Sequence, residues 1–363
     1  MATETIFLIC FIAFIVGILI LDMCVIDKKA HEVSLKEATI WTFVWIGLSL
    51  LFAGFLYIKG ELVHGIDNAE ELTRVITDYK IAMPDEVKAL PFNGQMDWYR
   101  GNMTMTYITG YLIEKMLSVD NLFVMMMIFA AFKVSKIEYQ RVLNWGIMGA
   151  IVLRCLFIFI GAAAIKQFDW LLYVFGAFLI YSAIKTFFQK EDDDEELPGI
   201  VKFLSKHLRV FPRFNGDDFF VHATRDGEEF TVVDRAVKGA KLFITPLFVA
   251  MVSIEFCDVI FAFDSIPAIF SVSLDPYIVF FSNIFAILGL RAMFFLLAAI
   301  ADKFRFLQQG VSILLLFIGA KLLCHSVFHI PDWVSLVIIL GVLALSIILS
   351  LIIPKKEEEE RRE

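Results

Sequence analysis

The sequence predicts an all-α polytopic membrane protein with about nine transmembrane helices, six of which form two inverted three-helix repeats. Three observations predict this class. The 363 residues are 59% hydrophobic and 15% aromatic, with a mean hydropathy of +0.75, more apolar surface than a soluble domain can hide. Apolar runs recur at lengths that cross a bilayer, for which a helix needs about 20 residues. The polar landmarks of three successive runs also return, in the same order, later in the chain.

The runs fall at 5–25, 40–58, 105–131, 142–165, 170–188, 242–270, 277–301, 308–328 and 333–353. Only helices and closed barrels satisfy their backbone inside lipid, so each run is read as a helix. The leading MATET lacks basic residues and no A-x-A site follows, so the first run reads as a membrane helix and not as a signal peptide. The chain then divides into two N-terminal helices (1–58), an extracytoplasmic loop (59–104), repeat one (105–188) and a cytosolic acidic loop (189–241). Repeat two (242–328) and a last helix with a charged tail (329–363) complete it. Lys and Arg in the short connections set the orientation. Lys28, Lys29, Lys36, Lys133, Lys136, Arg141, Lys303, Arg305 and the tail lie on one side, whereas the opposite short loops carry only Lys166. The N-terminus is therefore expected outside and the C-terminus in the cytosol, in an inner or plasma membrane of bacterial type.

The polar segments carry weaker signals. "NAEELTRVITDYKIA" in loop 59–104 reads as a short amphipathic surface helix. "DFFVHATRDGEEFTVVD" in the cytosolic loop reads as two alternating strands around an Asp-Gly turn. The acidic runs "EDDDEE" and "KKEEEERRE" read as solvated segments. The net charge of −8 sits in these loops and gives no case for a nucleic-acid partner; lipid is the expected surroundings, and the cytosolic hairpin and outer loop leave room for protein partners that the sequence does not identify. The five cysteines form no CxxC pair, so neither a disulfide framework nor a thiolate metal site is expected.

The repeat emerges when "SVDNLFVMMMIFAAF" (118–132) is set beside "FCDVIFAFDSIPAIF" (256–270), which brings Asp120 onto Asp258. The next runs bring Arg154 onto Arg291, and the next Gly176 onto Gly319. A three-helix unit reverses the sense of crossing in its second copy. Inverted repeats of this kind recur in secondary transporters, with a site between the copies near the midplane.

The repeats concentrate charge where it is expensive. Run three carries Glu114, Ser118, Asp120 and Asn121; run six carries Glu255, Asp258, Asp264 and Ser265; runs four and seven add Arg154 and Arg291. Glu255 and Asp258 share a helix face. Asp264 lies about 240° around an ideal helix from Asp258, so it joins them only if the helix breaks. Pro267, which removes an N–H and frees the Phe263 carbonyl, supplies a breaker. Unwound segments in runs three and six are accordingly expected. Five carboxylates against two arginines leave about three negative charges, and carboxylate, amide and hydroxyl oxygens suit a hard divalent cation. Asn283 is a candidate polar partner. Lys115 and Lys321 read either as counter-ions or as side chains reaching an interface, and His325 and His329 as interfacial. Met125, Met126 and Met127 read as packing.

At these residues the chain resembles the TerC family of integral membrane proteins. The resemblance rests on "GYLIEKMLSVDNLFV" (110–124), on "EFCDVIFAFDSIPAIFSVSLDPYIVFFSNIFAILGLRAMFFLL" (255–297) and on "GDDFFV" in the cytosolic loop, and covers roughly residues 105–330. It implies membership of the lysine-exporter-like superfamily and an association with tellurite resistance, manganese export and metal homeostasis. It also implies that the functional acids are Glu114, Asp120, Glu255, Asp258 and Asp264, with Asn121 and Ser265 beside them. Loop 59–104 is longer than the resemblance leads one to expect.

The function expected is therefore not enzymatic. It is secondary transport that exports a divalent cation, Mn²⁺ foremost, with protons as the exchanged species and no permanently bound cofactor. No GxxxxGK[ST] motif supports a primary pump, and no GxGD or HExxH supports an intramembrane protease. The alternative is a membrane scaffold that helps secreted proteins acquire metal or fold.

Overall fold

The computed structural model describes residues 2–21, 33–168, 170–188, 209–216, 218–226, 229–237, 239–300, 306–324 and 332–352. These form an almost wholly helical bundle. Its helices are α1 (Ala2–Leu21), α2 (Leu35–Lys59), α3 (Glu61–His64), α4 (Ala69–Asp78), α5 (Asp85–Lys88), α6 (Phe92–Phe132), α7 (Lys136–Gln167) and α8 (Leu171–Phe188). After a small sheet come α9 (Pro246–Phe270), α10 (Pro276–Leu288), α11 (Leu290–Ile300), α12 (Leu307–Leu323) and α13 (Asp332–Ile352). Five of them, α1, α2, α7, α9 and α13, are long and apolar enough to cross a membrane; α10 and α11, bent by 45° at their junction, make a sixth span if taken together. α8 and α12 are apolar but shorter. Many apolar side chains of these helices face outward, among them Phe43, Leu51, Val152 and Val337, as lipid-facing surfaces do.

Local chemistry sets the ends of the elements. Ser34 caps α2 by accepting the Glu37 amide proton, and Asn68 caps α4 by accepting from Glu70 and Glu71. Ser135 and Glu138 form a capping box at the start of α7. The expected amphipathic helix is α4, which buries Leu72 and Val75. α6 starts well before the expected residue 105. Its first turns are polar but anchored, because Arg100 bonds Glu61 at 2.7 Å.

The sheet has three strands where two were expected. β1 (Phe220–Asp226) and β2 (Glu229–Val232) pair antiparallel as foreseen, with Asp226 opposite Glu229, while the turn residues lie outside the described set. β3 (Lys241–Ile244) occupies what the sequence suggested was the start of a span, and gives the order β2-β1-β3. Its Phe243 packs with Phe211, Val221 and Ala223, so sheet pairing wins the apolar residues before Thr245 caps α9. The acidic run 191–196 and the charged tail lie outside the described residues.

Packing among the central helices is reciprocal. α6 packs on α10, and α9 packs on α7; α6 packs on α9, and α7 on α10. The most extensive helix contact joins α8 to α12, where Gly176 and Gly319 face each other. A Cβ added to Gly176 would lie 2.9 Å from the Gly319 carbonyl oxygen, and one added to Gly319 would lie 2.8 Å from that of Gly176. α1 and α2 attach to α10 through phenylalanines, with Phe11 and Phe281 ring centroids 4.4 Å apart and Phe52 and Phe285 4.9 Å apart.

A buried histidine ties loop 59–104 to this bundle. His64 Nε2 lies 2.9 Å from Asp275 and Nδ1 3.3 Å from Glu4. Asp275 is also the cap of α10, accepting the Tyr277 amide proton. The Tyr79 and Tyr277 rings flank the imidazole. Burial opposes protonation, but the Asp275 and Glu4 carboxylates outweigh it and push His64 up to about 9 from an ordinary 6.5.

Two outcomes follow from this packing. Because the folded pKa of His64 is raised, its stabilisation is complete below pH 6.5 and is lost as pH rises through about 9; the shift corresponds to about 3 kcal/mol. Thermal unfolding of the detergent-solubilised protein across pH 6–10 is expected to show this fall, and His64→Phe to flatten it; equal slopes would disprove the linkage. Gly176→Ala or Gly319→Ala is expected to destabilise by about 1–3 kcal/mol, because backbone carbonyls cannot move aside as side chains do. Unchanged unfolding midpoints would contradict this.

Candidate cation site

Arg154 stands near the middle of α7 and is fully buried. Its Nη1 donates to Glu114 Oε1 on α6 and, at 2.8 Å, to Asn283 Oδ1 on α10. Its Nη2 reaches Asp258 Oδ1 on α9 at 3.5 Å. Ser118, one turn beyond Glu114 on α6, donates to the same carboxylate oxygen at 3.2 Å, and Asn283 is oriented by its own bond to the Val279 carbonyl at 2.9 Å. Four helices thus meet at one guanidinium. Formally, two carboxylates surround one fixed cation, and one oxygen on each acid, Glu114 Oε2 and Asp258 Oδ2, has no hydrogen-bond partner. Such unmet acceptors are costly in a dry interior and mark a place where a cation or proton would be stabilised.

Glu255, about one turn before Asp258 on α9, lines a small cavity with it. It rests over α7 where Gly146 and Gly149 leave a groove; a Cβ on Gly149 would collide with the Glu255 carboxylate. The cavity, of about 20 Å³, is lined by Glu255, Asp258, Arg291, Met125 and apolar side chains, and is large enough for one water-sized occupant. Arg291 donates to Asn144 Oδ1 on α7 at 2.8 Å. The two arginines therefore make matching bonds: Arg154 of α7 to Asn283 of α10, and Arg291 of α11 to Asn144 of α7. The sequence reading missed Asn144. The signal was present, an amide two to three turns before the arginine in both runs, but it shows only when the two runs are compared for amides.

The remaining candidates separate. Asp264 lies on the face of α9 turned toward α8, where it meets Ser182 and Lys185. Ser265 and Pro267 are buried in the same helix, and Asn121 is buried on α6. The side chain of Asp120, and His325 and His329, lie outside the described residues. Among the described residues, no three acidic, His or Cys side chains are arranged to hold a metal together. Cys10, Cys155, Cys257 and Cys324 are unpaired thiols.

The expected unwinding of runs three and six does not occur. α6 and α9 are helical throughout, with Pro267 inside α9. This keeps Asp264 on the far face, as the 240° separation requires. The break lies instead in run seven at Gly289, between Asn283 and Arg291. Lys115, which the sequence left between two roles, donates to the Ala286 carbonyl at 2.8 Å there. Lys321 bonds Ser335 on α13 at 3.0 Å.

Removing Arg154 leaves two buried acids without their shared cation. Arg154→Met is expected to destabilise the protein by about 3–5 kcal/mol. Adding Glu114→Gln should recover part of that loss, because one of the stranded charges is then gone. Non-recovery in thermal unfolding would show that the pair is not coupled through charge.

Comparison with known proteins agrees with this architecture. The model of the integral membrane protein TerC family matches residues 99–358. An uncharacterized membrane protein of Myxococcus xanthus is 39% identical over 94% of this chain and 91% of its own. Alx of Escherichia coli strain K12, whose name proposes a membrane-bound redox modulator, is 38% identical over 92% of this chain and 90% of its own. The protein of that name in Salmonella typhi is 38% identical over 97% and 96%. No solved structure matches. With its family model matched over most of its length and such relatives end to end, the chain belongs to the TerC family of integral membrane proteins.

Proposed function

We propose that this chain is a secondary transporter that exports a divalent metal cation, Mn²⁺ foremost, in exchange for protons. The observation that carries the reading is the buried Glu114–Arg154–Asp258 cluster with an unsatisfied oxygen on each acid. Carboxylate and amide oxygens suit a hard cation. In this reading Glu114 and Asp258 receive the ion or protons, with Asp120 and Asn121 close in sequence on α6. Arg154 stands in as counter-cation between transport events. Glu255, beside its small cavity and Arg291, is a neighbouring station, and Asp264 is a more distant one facing α8. The reading includes nine spans, an outside N-terminus, a cytosolic C-terminus and two inverted repeats. The reciprocal helix packing, the facing Gly176 and Gly319 and the matching arginine–asparagine bonds support the repeats. Tellurite resistance, by family association, would be a phenotype of altered metal balance.

The sheet built on Phe211, Val221, Ala223 and Phe243 has its own small core, and this favours a second reading. In it the protein is a membrane scaffold that assists metalation or folding of secreted proteins. Purified protein in liposomes separates the two. Under the transport reading, Mn²⁺ moves, a pH gradient drives it, and Mg²⁺ and Ca²⁺ are compared alongside. Glu114→Gln or Asp258→Asn lowers that flux by roughly ten- to a hundredfold, while trimming residues 227–228 in the β1–β2 turn leaves it intact. Full flux in both acid variants would refute the site.

A further inference from the structure

The break in run seven is held by a residue that the proposed ion path does not use. α10 ends at Leu288, so the Ala286 carbonyl is among the last four that lack an intrahelical amide. That end also carries the negative pole of the helix, about half an elementary charge. Lys115 arrives from α6 and donates to this carbonyl at 2.8 Å, with the Tyr111 ring centroid 5.8 Å from its ammonium. The break residue makes room for it. A Cβ on Gly289 would lie 2.8 Å from Lys115 Nζ and 3.2 Å from the Trp45 side chain. Asn283 lies about one turn before Ala286, and Arg291 lies just after Gly289. The brace therefore sits between the two arginine–asparagine bonds that join this run to α7.

Where helices break inside a membrane, their carbonyl ends recurrently coordinate free monovalent cations. Here the chain brings its own positive charge to such an end. We propose that the Lys115 ammonium is a tethered substitute for a monovalent cation at the carbonyl end of α10, and that removing it uncovers a site for an alkali-metal ion. The inference goes beyond the divalent-ion reading and does not depend on it, since it concerns the stability of the break and not the passage of cargo. Charge, position and space each contribute: a cation at the negative helix pole, a carbonyl within bonding distance, and a glycine that leaves the volume open.

The test is thermal unfolding of the full-length purified protein in NaCl, KCl and choline chloride at equal ionic strength. The unaltered protein is expected to unfold at the same temperature in all three, because its site is filled from within. Lys115→Met removes both charge and donor, whereas Lys115→Gln loses the charge and keeps an amide donor on a side chain one bond shorter. Both variants are expected to unfold several degrees lower in choline chloride than in NaCl or KCl, with a gain that rises with alkali concentration and saturates. If Lys115→Met does not fold, Lys115→Gln carries the same comparison. Overlapping midpoints in the three salts for the variants would overturn the proposal. So would an alkali effect of equal size in the unaltered protein.

Discussion

One guanidinium organises the centre of this protein. Arg154 presents five N–H donors in a rigid plane, and its bonds reach α6, α9 and α10 from its own place on α7. In a dry interior none of these groups could remain charged without the others. The arginine therefore fixes the rotation of four helices at once. Glu114 must face inward, which turns the adjacent Lys115 toward the break in run seven. Asp258 must face inward, which places Glu255 over the α7 groove and sends Asp264 toward α8.

The groove shows how small residues set the reach of large charges. Gly146 and Gly149 give α7 a shallow surface one to two turns ahead of Arg154, and the Glu255 carboxylate occupies it. A side chain at Gly149 would displace the Glu255 carboxylate from this surface. The same logic applies at Gly289, where absence of a Cβ admits an ammonium. Charge placement in this bundle thus depends on backbone access as much as on the charged residues themselves.

Much of this was legible in the sequence, and the reasons differ from residue to residue. Hydropathy located the apolar runs, because lipid imposes a length and a polarity that few other constraints mimic. Charges at membrane depth are rare enough that the sequence singles out Glu114, Asp258 and Arg154, with Asn283 as a candidate polar partner, but not which acid Arg154 bonds. Helical periodicity also separated Asp264 from Asp258 correctly. What failed was the choice of break. Pro267 lies in the last turn of α9, where losing its bond to the Phe263 carbonyl leaves the helix continuous, whereas Gly289 lies in mid-run beside a cation that bonds the nearby Ala286 carbonyl. The third strand was missed because Leu242, Phe243 and Ile244 read equally well as the start of a span. Asn144 was missed because a single amide in an apolar run carries no signature until its counterpart is known.

The glycine pair between α8 and α12 constrains how this contact can change. Contacts between unequal side chains can drift over time: one partner shrinks as the other grows, and total volume is kept. Gly176 and Gly319 have no such freedom, since each is already the smallest residue and each meets backbone oxygen of the other. A larger residue on one side has no smaller residue to retreat to on the other. The pair is thus a junction that can be lost but not traded, and it fixes the closest approach of these two helices wherever it is kept.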